Sequence, residues 1–235
     1  MLLKTTALTK SYLTASGTVY ALREAELSFS ENSFTCIVGK SGCGKTTLLR
    51  LLAGLEPATS GTITYEKAAK IGFVFQEPRL MPWLTVSENI AFAAQSDPAL
   101  PHSPSEKLLG LLGLQAFQKA YPAQLSGGMA QRAALGRTLF QNPDLILMDE
   151  PFSALDYFTR QGLQKMLLEL FRKQQKSVIF VTHDVEEALL LGQRILVMQN
   201  GSVKNDLPID LAYPRQAASL PFQQLRQQIL DAIEN

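Results

Sequence analysis

The sequence predicts an α/β fold organised around one phosphate-binding loop, with an antiparallel β lobe ahead of it and a helical insertion behind it. Three observations carry that prediction. The stretch Gly39-Lys40-Ser41-Gly42-Cys43-Gly44-Lys45-Thr46-Thr47 fits the Walker A pattern G-x-x-x-x-G-K-[ST]. It lies between Phe34-Thr35-Cys36-Ile37-Val38, which reads as a buried strand, and Leu48-Leu49-Arg50-Leu51-Leu52-Ala53, which reads as a helix. Two further apolar runs, Leu145–Met148 and Ser177–Thr182, alternate with helical patterns and lead into Asp149, Glu150 and His183. Strand, glycine loop and helix, in that order, is the context such a loop requires.

The residue types explain the chemistry. Glycines let the backbone curl with its N–H groups facing inward on a polyphosphate, which the positive end of the following helix also attracts. Lys45 then reaches the β- and γ-phosphates, and the Thr46 hydroxyl coordinates Mg²⁺. At 235 residues and 46% hydrophobic, the chain is long enough for a sizeable core and for one or two domains. Its net charge is +1, with 22 basic and 21 acidic residues and no long basic block, so nucleic acid as the main partner finds no support. The two cysteines, Cys36 and Cys43, make neither a disulfide framework nor a metal-ligand set, and are expected as reduced thiols of a cytosolic protein. Met1-Leu2-Leu3-Lys4 lacks the apolar region of a signal peptide, and no uninterrupted apolar run is long enough to cross a bilayer. Membrane association is expected only through a partner.

Taken in order, Leu2–Thr9 and Glu26–Phe34 are short, partly alternating segments expected to form the antiparallel lobe. Tyr12 in this lobe is either a platform for a nucleotide base or an ordinary half-buried strand tyrosine. After a turn-rich break at Glu56–Gly61, strands are expected at Thr62–Tyr65 and Ile71–Phe75. The second ends in Gln76, at the carboxyl end of a sheet strand, where it can contact Mg²⁺ or an attacking water. Residues from about 77 to 123 read as a small helical insertion, in which Trp83 is either core or part of a surface interaction patch. Leu125-Ser126-Gly127-Gly128-Met129-Ala130-Gln131-Arg132 opens an amphipathic helix that runs through Phe140. Ser126 is its N-cap, and Gly127 and Gly128 leave the helix start open to an anion. The next strand delivers Asp149 to Mg²⁺ and Glu150 to a water. Ser153–Asp156 and a helix to about Gln174 follow, then the strand ending at His183. Asp184–Leu191 is expected as a helix, Arg194–Gln199 as a strand, and Asn200-Gly201 as a tight hairpin turn. From Ala218 to Ile233, Phe222, Leu225, Ile229 and Ile233 share one helical face, so this tail is expected to pack on the body.

The order of Walker A loop, Gln76, Leu125-Ser126-Gly127-Gly128, Asp149-Glu150, Ser153–Asp156 and His183 resembles that of ATP-binding-cassette (ABC) ATPase subunits over nearly the entire chain. Met129 stands where many such proteins carry Gln. The resemblance implies a P-loop NTPase core sheet with an antiparallel β lobe and a helical signature subdomain, as one nucleotide-binding domain over 1–235. Its helical subdomain is expected at about 77–140 and a short C-terminal helix at about 218–233. It implies ATP and Mg²⁺ as cofactors, with Gly39 through Thr47, Ser126, Gly127 and Gly128 on the nucleotide, and Thr46, Gln76 and Asp149 on the metal. Tyr12 matches the aromatic that stacks on adenine, Gln76 the link to the transport partner, Glu150 the general base and His183 the γ-phosphate switch, with Lys45 completing the catalytic set. Two subunits pair head to tail in this family, so Ser126 and Gly128 of one close over ATP held by Lys45 of the other.

Met81–Ile90 and Leu125–Arg132 are similar to importer subunits for nitrate, aliphatic sulfonate, taurine and pyrimidine-type vitamin precursors. That implies an integral-membrane permease, a solute-binding protein and a peripheral position on the cytoplasmic face of the membrane. A soluble ABC protein acting on ribosome or DNA is the other reading, but the chain has neither a second cassette nor a long coiled-coil insertion. A P-loop GTPase switch lacks support because no N-K-x-D base-reading motif is found.

Overall fold

The computed structural model describes residues 2–15, 17–66, 68–95, 97, 99–153, 155–174 and 176–234. The strands are β1 (Leu3–Thr14), β2 (Gly17–Phe29), β3 (Phe34–Val38), β4 (Ser60–Tyr65), β5 (Ile71–Val74), β6 (Leu145–Asp149), β7 (Ser177–Val181), β8 (Arg194–Gln199) and β9 (Ser202–Pro208). The α-helices are α1 (Lys45–Leu52), α2 (Val86–Ile90), α3 (Glu106–Leu112), α4 (Gly127–Phe140), α5 (Tyr157–Gln174), α6 (Val185–Leu191) and α7 (Leu220–Glu234). They gather into two compact units, residues 1–69 with 175–235, and residues 70–174.

In the first unit, β3 lies between β7 and β8 and runs parallel to both, while β9 returns antiparallel along β8. All five residues of β3 and all five of β7 are buried, as a parallel sheet covered on both faces demands; this is why both read as unbroken apolar runs. Asn200 and Gly201 close the β8–β9 hairpin with positive φ at both positions, the geometry a two-residue turn needs. Phe222 and Ile229 are fully buried on α7, which packs against α6 and β8.

The antiparallel lobe of this unit has the order β2-β1-β4. Its long hairpin corrects the sequence reading: β2 begins at Gly17, not Glu26, and ends at Phe29, whereas Phe34 already belongs to β3. The cause is irregular register. The β1–β2 ladder shifts between Thr5 and Leu8, Leu8 and Lys10, and Lys10 and Ser11, with Ala7 and Glu24 at positive φ. Each shift exchanges the faces that successive side chains occupy, so the period-two pattern breaks along a strand that continues.

In the second unit, β5 and β6 pair in parallel from Ile71 opposite Leu145 to Val74 opposite Met148. Helix α4 approaches β5 closely at Gly72, where an added Cβ would stand 2.5 Å from Thr138 Cγ2. Val86, Ile90, Leu109, Leu112, Leu114 and Ala133 form the buried cluster among α2, α3 and α4. Long helix α5 buries Leu163, Leu167, Leu170 and Phe171.

Candidate nucleotide site

The first unit carries the phosphate loop between β3 and α1. Gly39 has φ +153°, and a Cβ there would fall 2.2 Å from the Met198 carbonyl oxygen; Gly44 has φ +107°, and a Cβ would fall 2.1 Å from that of Ala21. Glycine is therefore required at both ends of the loop, for space and for backbone conformation. Lys45 is buried, and its Nζ donates to the carbonyls of Gly39 at 2.8 Å and Lys40 at 3.1 Å. The ammonium is thus held over the loop by main-chain oxygens that the loop geometry itself supplies. Helix α1 starts at Gly44 with no side-chain cap and no acidic residue in its first turn, so its positive end faces no compensating carboxylate from that turn. Thr46 and Thr47 follow Lys45 in that first turn.

Tyr12 lies on β1 opposite Val19 of β2 and is 38% exposed, which leaves ring surface for a ligand. Its hydroxyl donates to Glu56 Oε1 at 2.7 Å, and Lys10 Nζ stands 5.1 Å from the ring centroid while pairing with Glu56 at 3.1 Å. Burial pushes the phenol pKa up, reinforced by the bond to Glu56 and opposed by a hydrogen bond with the Thr47 side chain. The same contact with Tyr12, ahead of Lys10, holds the Glu56 carboxyl below its ordinary value. Lys10 and Glu56 were not apparent as site residues in the sequence, where 44 positions separate Tyr12 from Glu56.

His183 is exposed two residues beyond the end of β7, after the buried Thr182. The next residue fixes its position: Asp184 caps α6, its Oδ1 accepting from the Glu186 and Glu187 amides at 2.9 and 3.1 Å, while its own amide donates to Thr182 Oγ1 at 3.0 Å.

The second unit carries the remaining predicted residues. Asp149 ends β6 and is 6% exposed. Glu150 follows in the left-handed region at φ +43°, a conformation that costs energy for a side chain of this kind and recurs at functional positions. Ser153 steadies this turn by donating from Oγ to the Glu150 carbonyl at 3.0 Å, and it accepts from Gln76 Nε2 at 3.4 Å. Gln76 is thereby joined through Ser153 to the backbone of Glu150.

Ser126 caps α4, its Oγ accepting from the Met129 amide at 3.3 Å. Ser126 and Gly127 are exposed, and no acid lies in the first turn. Gly128 is required by Thr159, whose Cγ2 would be 2.6 Å from an added Cβ. The same helix grips the segment around Gln76. Gln131 Nε2 donates to the Phe75 carbonyl at 3.2 Å, Thr138 Oγ1 to Phe73 at 3.1 Å, and the Arg137 guanidinium to Pro78 and Arg79 at 3.0 and 2.8 Å. These three residues were missed, although Gln131 and Thr138, seven apart, share a helix face.

Trp83 is 70% exposed, so the core reading is set aside. Its loop is nonetheless ordered by the fully buried Asn89, whose Oδ1 accepts from the Met81 amide at 2.7 Å. Asn89 Nδ2 donates to the carbonyls of Met81, Leu84 and Thr85 at 3.1, 2.9 and 3.0 Å.

The loop between Gly39 and Gly44 fits a nucleotide polyphosphate, since its glycines allow the curled backbone that turns N–H groups inward, and a Cβ at either would strike a neighbouring main-chain oxygen and force the loop out of that shape. The hydroxyl of Thr46 in the first unit, and the amide oxygen of Gln76 and the carboxylate of Asp149 in the second, are each hard oxygen donors of the kind that Mg²⁺ takes. Among the described residues no helix is long and apolar enough to cross a membrane.

Residues 22–153 match the family model for the ABC transporter. The aliphatic sulfonates import ATP-binding protein SsuB 2 of Burkholderia cenocepacia (strain HI2424) is 42% identical over 225 residues, covering 91% of this chain and 82% of its own. SsuB of Bacillus subtilis (strain 168) is 41% identical over 222 residues, with 91% and 87% covered. An uncharacterized ABC transporter ATP-binding protein of Methanocaldococcus jannaschii, MJ0412, is 42% identical over 245 residues, with 99% and 91% covered. Among solved structures, the dimeric post-hydrolysis state of the ATP-binding cassette MJ0796 bound to ADP and Pi has a TM-score of 0.80 at 31% identity, over 90% of this chain and 100% of that one. The match spans the P-loop lobe and the signature helix alike, and it makes this chain an ATP- and Mg²⁺-binding ATPase of the ABC transporter family.

Proposed function

We propose that the chain is the ATP-hydrolysing subunit of an importer, energising uptake of a small solute through a separate membrane permease fed by a solute-binding protein. Relatives named for aliphatic sulfonate import make that class of solute the first to test. In this reading the protein sits at the cytoplasmic face of the membrane, held there by its permease.

Tyr12 stacks on adenine with the ring face left by Lys10, and the Gly39–Thr47 loop and Lys45 hold the phosphates. Thr46, Gln76 and Asp149 hold Mg²⁺, which neutralises phosphate charge when bound. Glu150 takes the proton of the attacking water, and His183 meets the γ-phosphate side of the nucleotide. Gln76, tied through Ser153 to Glu150 and flanked by backbone bound to α4, carries the state of this catalytic group to the docked permease. Trp83, presented by the Asn89-ordered loop, supplies the apolar part of that docking surface.

One observation carries the pairing of subunits. The signature turn offers an exposed Ser126 and Gly127 at the start of a 14-residue helix with no acid in its first turn, a second anion-receptive terminus besides the one at the phosphate loop. A head-to-tail homodimer brings Ser126 and Gly128 of one subunit to ATP on Lys45 of the other. In Glu150→Gln, hydrolysis is expected to fall about 10²–10⁴-fold while ATP still binds, so size-exclusion chromatography in ATP shifts from monomer to dimer. Adding Ser126→Arg abolishes the shift. Normal hydrolysis by Glu150→Gln refutes the base assignment, and a dimer that survives Ser126→Arg refutes the head-to-tail arrangement.

A further inference from the structure

Helices α3, α4 and α5 border an open cavity of about 430 Å³ whose lining includes Leu111, Arg132, Phe158, Thr159, Gly162 and Met166. Its volume lies within the range of small-molecule sites. The apolar walls are Phe158, which is 80% exposed, with the leucines and Met166, and the glycines leave space along them. Among the described residues Arg132 is the only charged one in the lining, and no carboxylate lines the cavity to balance it. Its Nε is buried with no hydrogen-bond partner among the described residues. Arg132 as a whole is partly exposed and lines the cavity, so the rest of its guanidinium is the group that an anionic oxygen entering there would meet in a charge-assisted hydrogen bond.

We propose that this cavity binds a small amphipathic organic anion, with the carboxylate on Arg132 and an apolar tail between Phe158, Leu111 and Met166. The site goes beyond the nucleotide chemistry, but it is joined to the signature turn in two ways. Arg132 belongs to the helix that Ser126 caps, and Thr159 both lines the cavity and abuts Gly128. Occupancy is therefore felt at the signature glycine.

The test uses the full chain and hexanoate as the probe, with hexylammonium as the control of equal tail and opposite charge. In ¹H–¹⁵N spectra, hexanoate is expected to move the amide signals of Gly113, Gly128 and Gly162 saturably in the millimolar range, and hexylammonium is expected to leave them in place. Arg132→Met should weaken hexanoate by about ten-fold or more, the scale for losing a charge-assisted hydrogen bond. Gly162→Leu provides the variant that folds safely: a Cβ at Gly162 meets open space, and leucine is a better helix former than glycine. Its larger side chain fills the cavity and should reduce binding to the same degree. No saturable shift with hexanoate, equal shifts with hexylammonium, or unchanged hexanoate binding in Gly162→Leu would each overturn the proposal.

Discussion

Replacing Asn89 by alanine removes the latch under Trp83. The side chain is 0% exposed and serves one amide and three carbonyls of Met81, Leu84 and Thr85. Its two N–H protons are shared among three acceptors, so the set amounts to about three or four net hydrogen bonds at roughly 1 kcal/mol each. Asn89→Ala is therefore expected to lower the unfolding free energy by about 3–4 kcal/mol in urea titration, with some further loss for any main-chain group left buried and unpaired. Trp83→Ala, in the same loop but 70% exposed, is expected to change stability by no more than about 0.5 kcal/mol. Its cost should appear instead in assembly with the permease, or in permease-stimulated ATP hydrolysis. Asn89→Asp sharpens the test. Its carboxylate turns an oxygen toward carbonyls that need a donor, so the folded-state pKa should rise above the ordinary value of about 3.9. The folded state then binds the proton more tightly than the unfolded chain, and the destabilisation should be fully present at neutral pH and shrink as pH falls through that raised pKa. A loss below about 1 kcal/mol in Asn89→Ala, well under the net worth of the bonds removed, would refute the latch. A large stability loss in Trp83→Ala would refute the docking surface.

Tyr12→Ala should weaken ATP binding by about 1–3 kcal/mol, the scale of base–aromatic stacking, and Tyr12→Phe should be mild; equal and negligible effects in a nucleotide titration would remove Tyr12 from the adenine site. The Glu56 carboxyl is held low chiefly by the Tyr12 hydroxyl, so its contribution to stability is present above the ordinary carboxylate pKa and lost as pH falls through the depressed folded value. Acid titrations of thermal stability should show that loss in the wild type and not in Glu56→Gln. Gly44→Ala should abolish ATP binding, because its Cβ would lie 2.1 Å from the Ala21 oxygen at a backbone angle that alanine resists; retained binding would place the phosphates elsewhere.

The parts of the fold that were readable from sequence are those where burial is uniform. Strands β3, β6 and β7 are buried at every position, so their composition alone marks them. The β1–β2 hairpin was partly hidden because its bulges interrupt the alternation by which such strands are recognised. The motif residues around Lys45, Ser126, Asp149 and His183 could be found because their spacing is itself the signal. Asn89, Glu56 and Arg137 could not, because each acts on a distant side chain or on backbone groups that every residue type possesses. The exposure of Trp83 likewise follows from tertiary packing, which composition does not specify.

The clasp of α4 on residues 73–79 has a consequence for sequence drift. Its four acceptors are main-chain carbonyls of Phe73, Phe75, Pro78 and Arg79, and its donors are the side chains of Gln131, Arg137 and Thr138. Mutation of an acceptor residue leaves its carbonyl in place, whereas mutation of a donor removes the bond. Tolerance should therefore be lopsided: the segment beside Gln76 is free to change its side chains, and on the proposed function to suit a different membrane partner, while the helix that holds it is not. On that reading, one motor can be refitted to many ports without rebuilding its transmission.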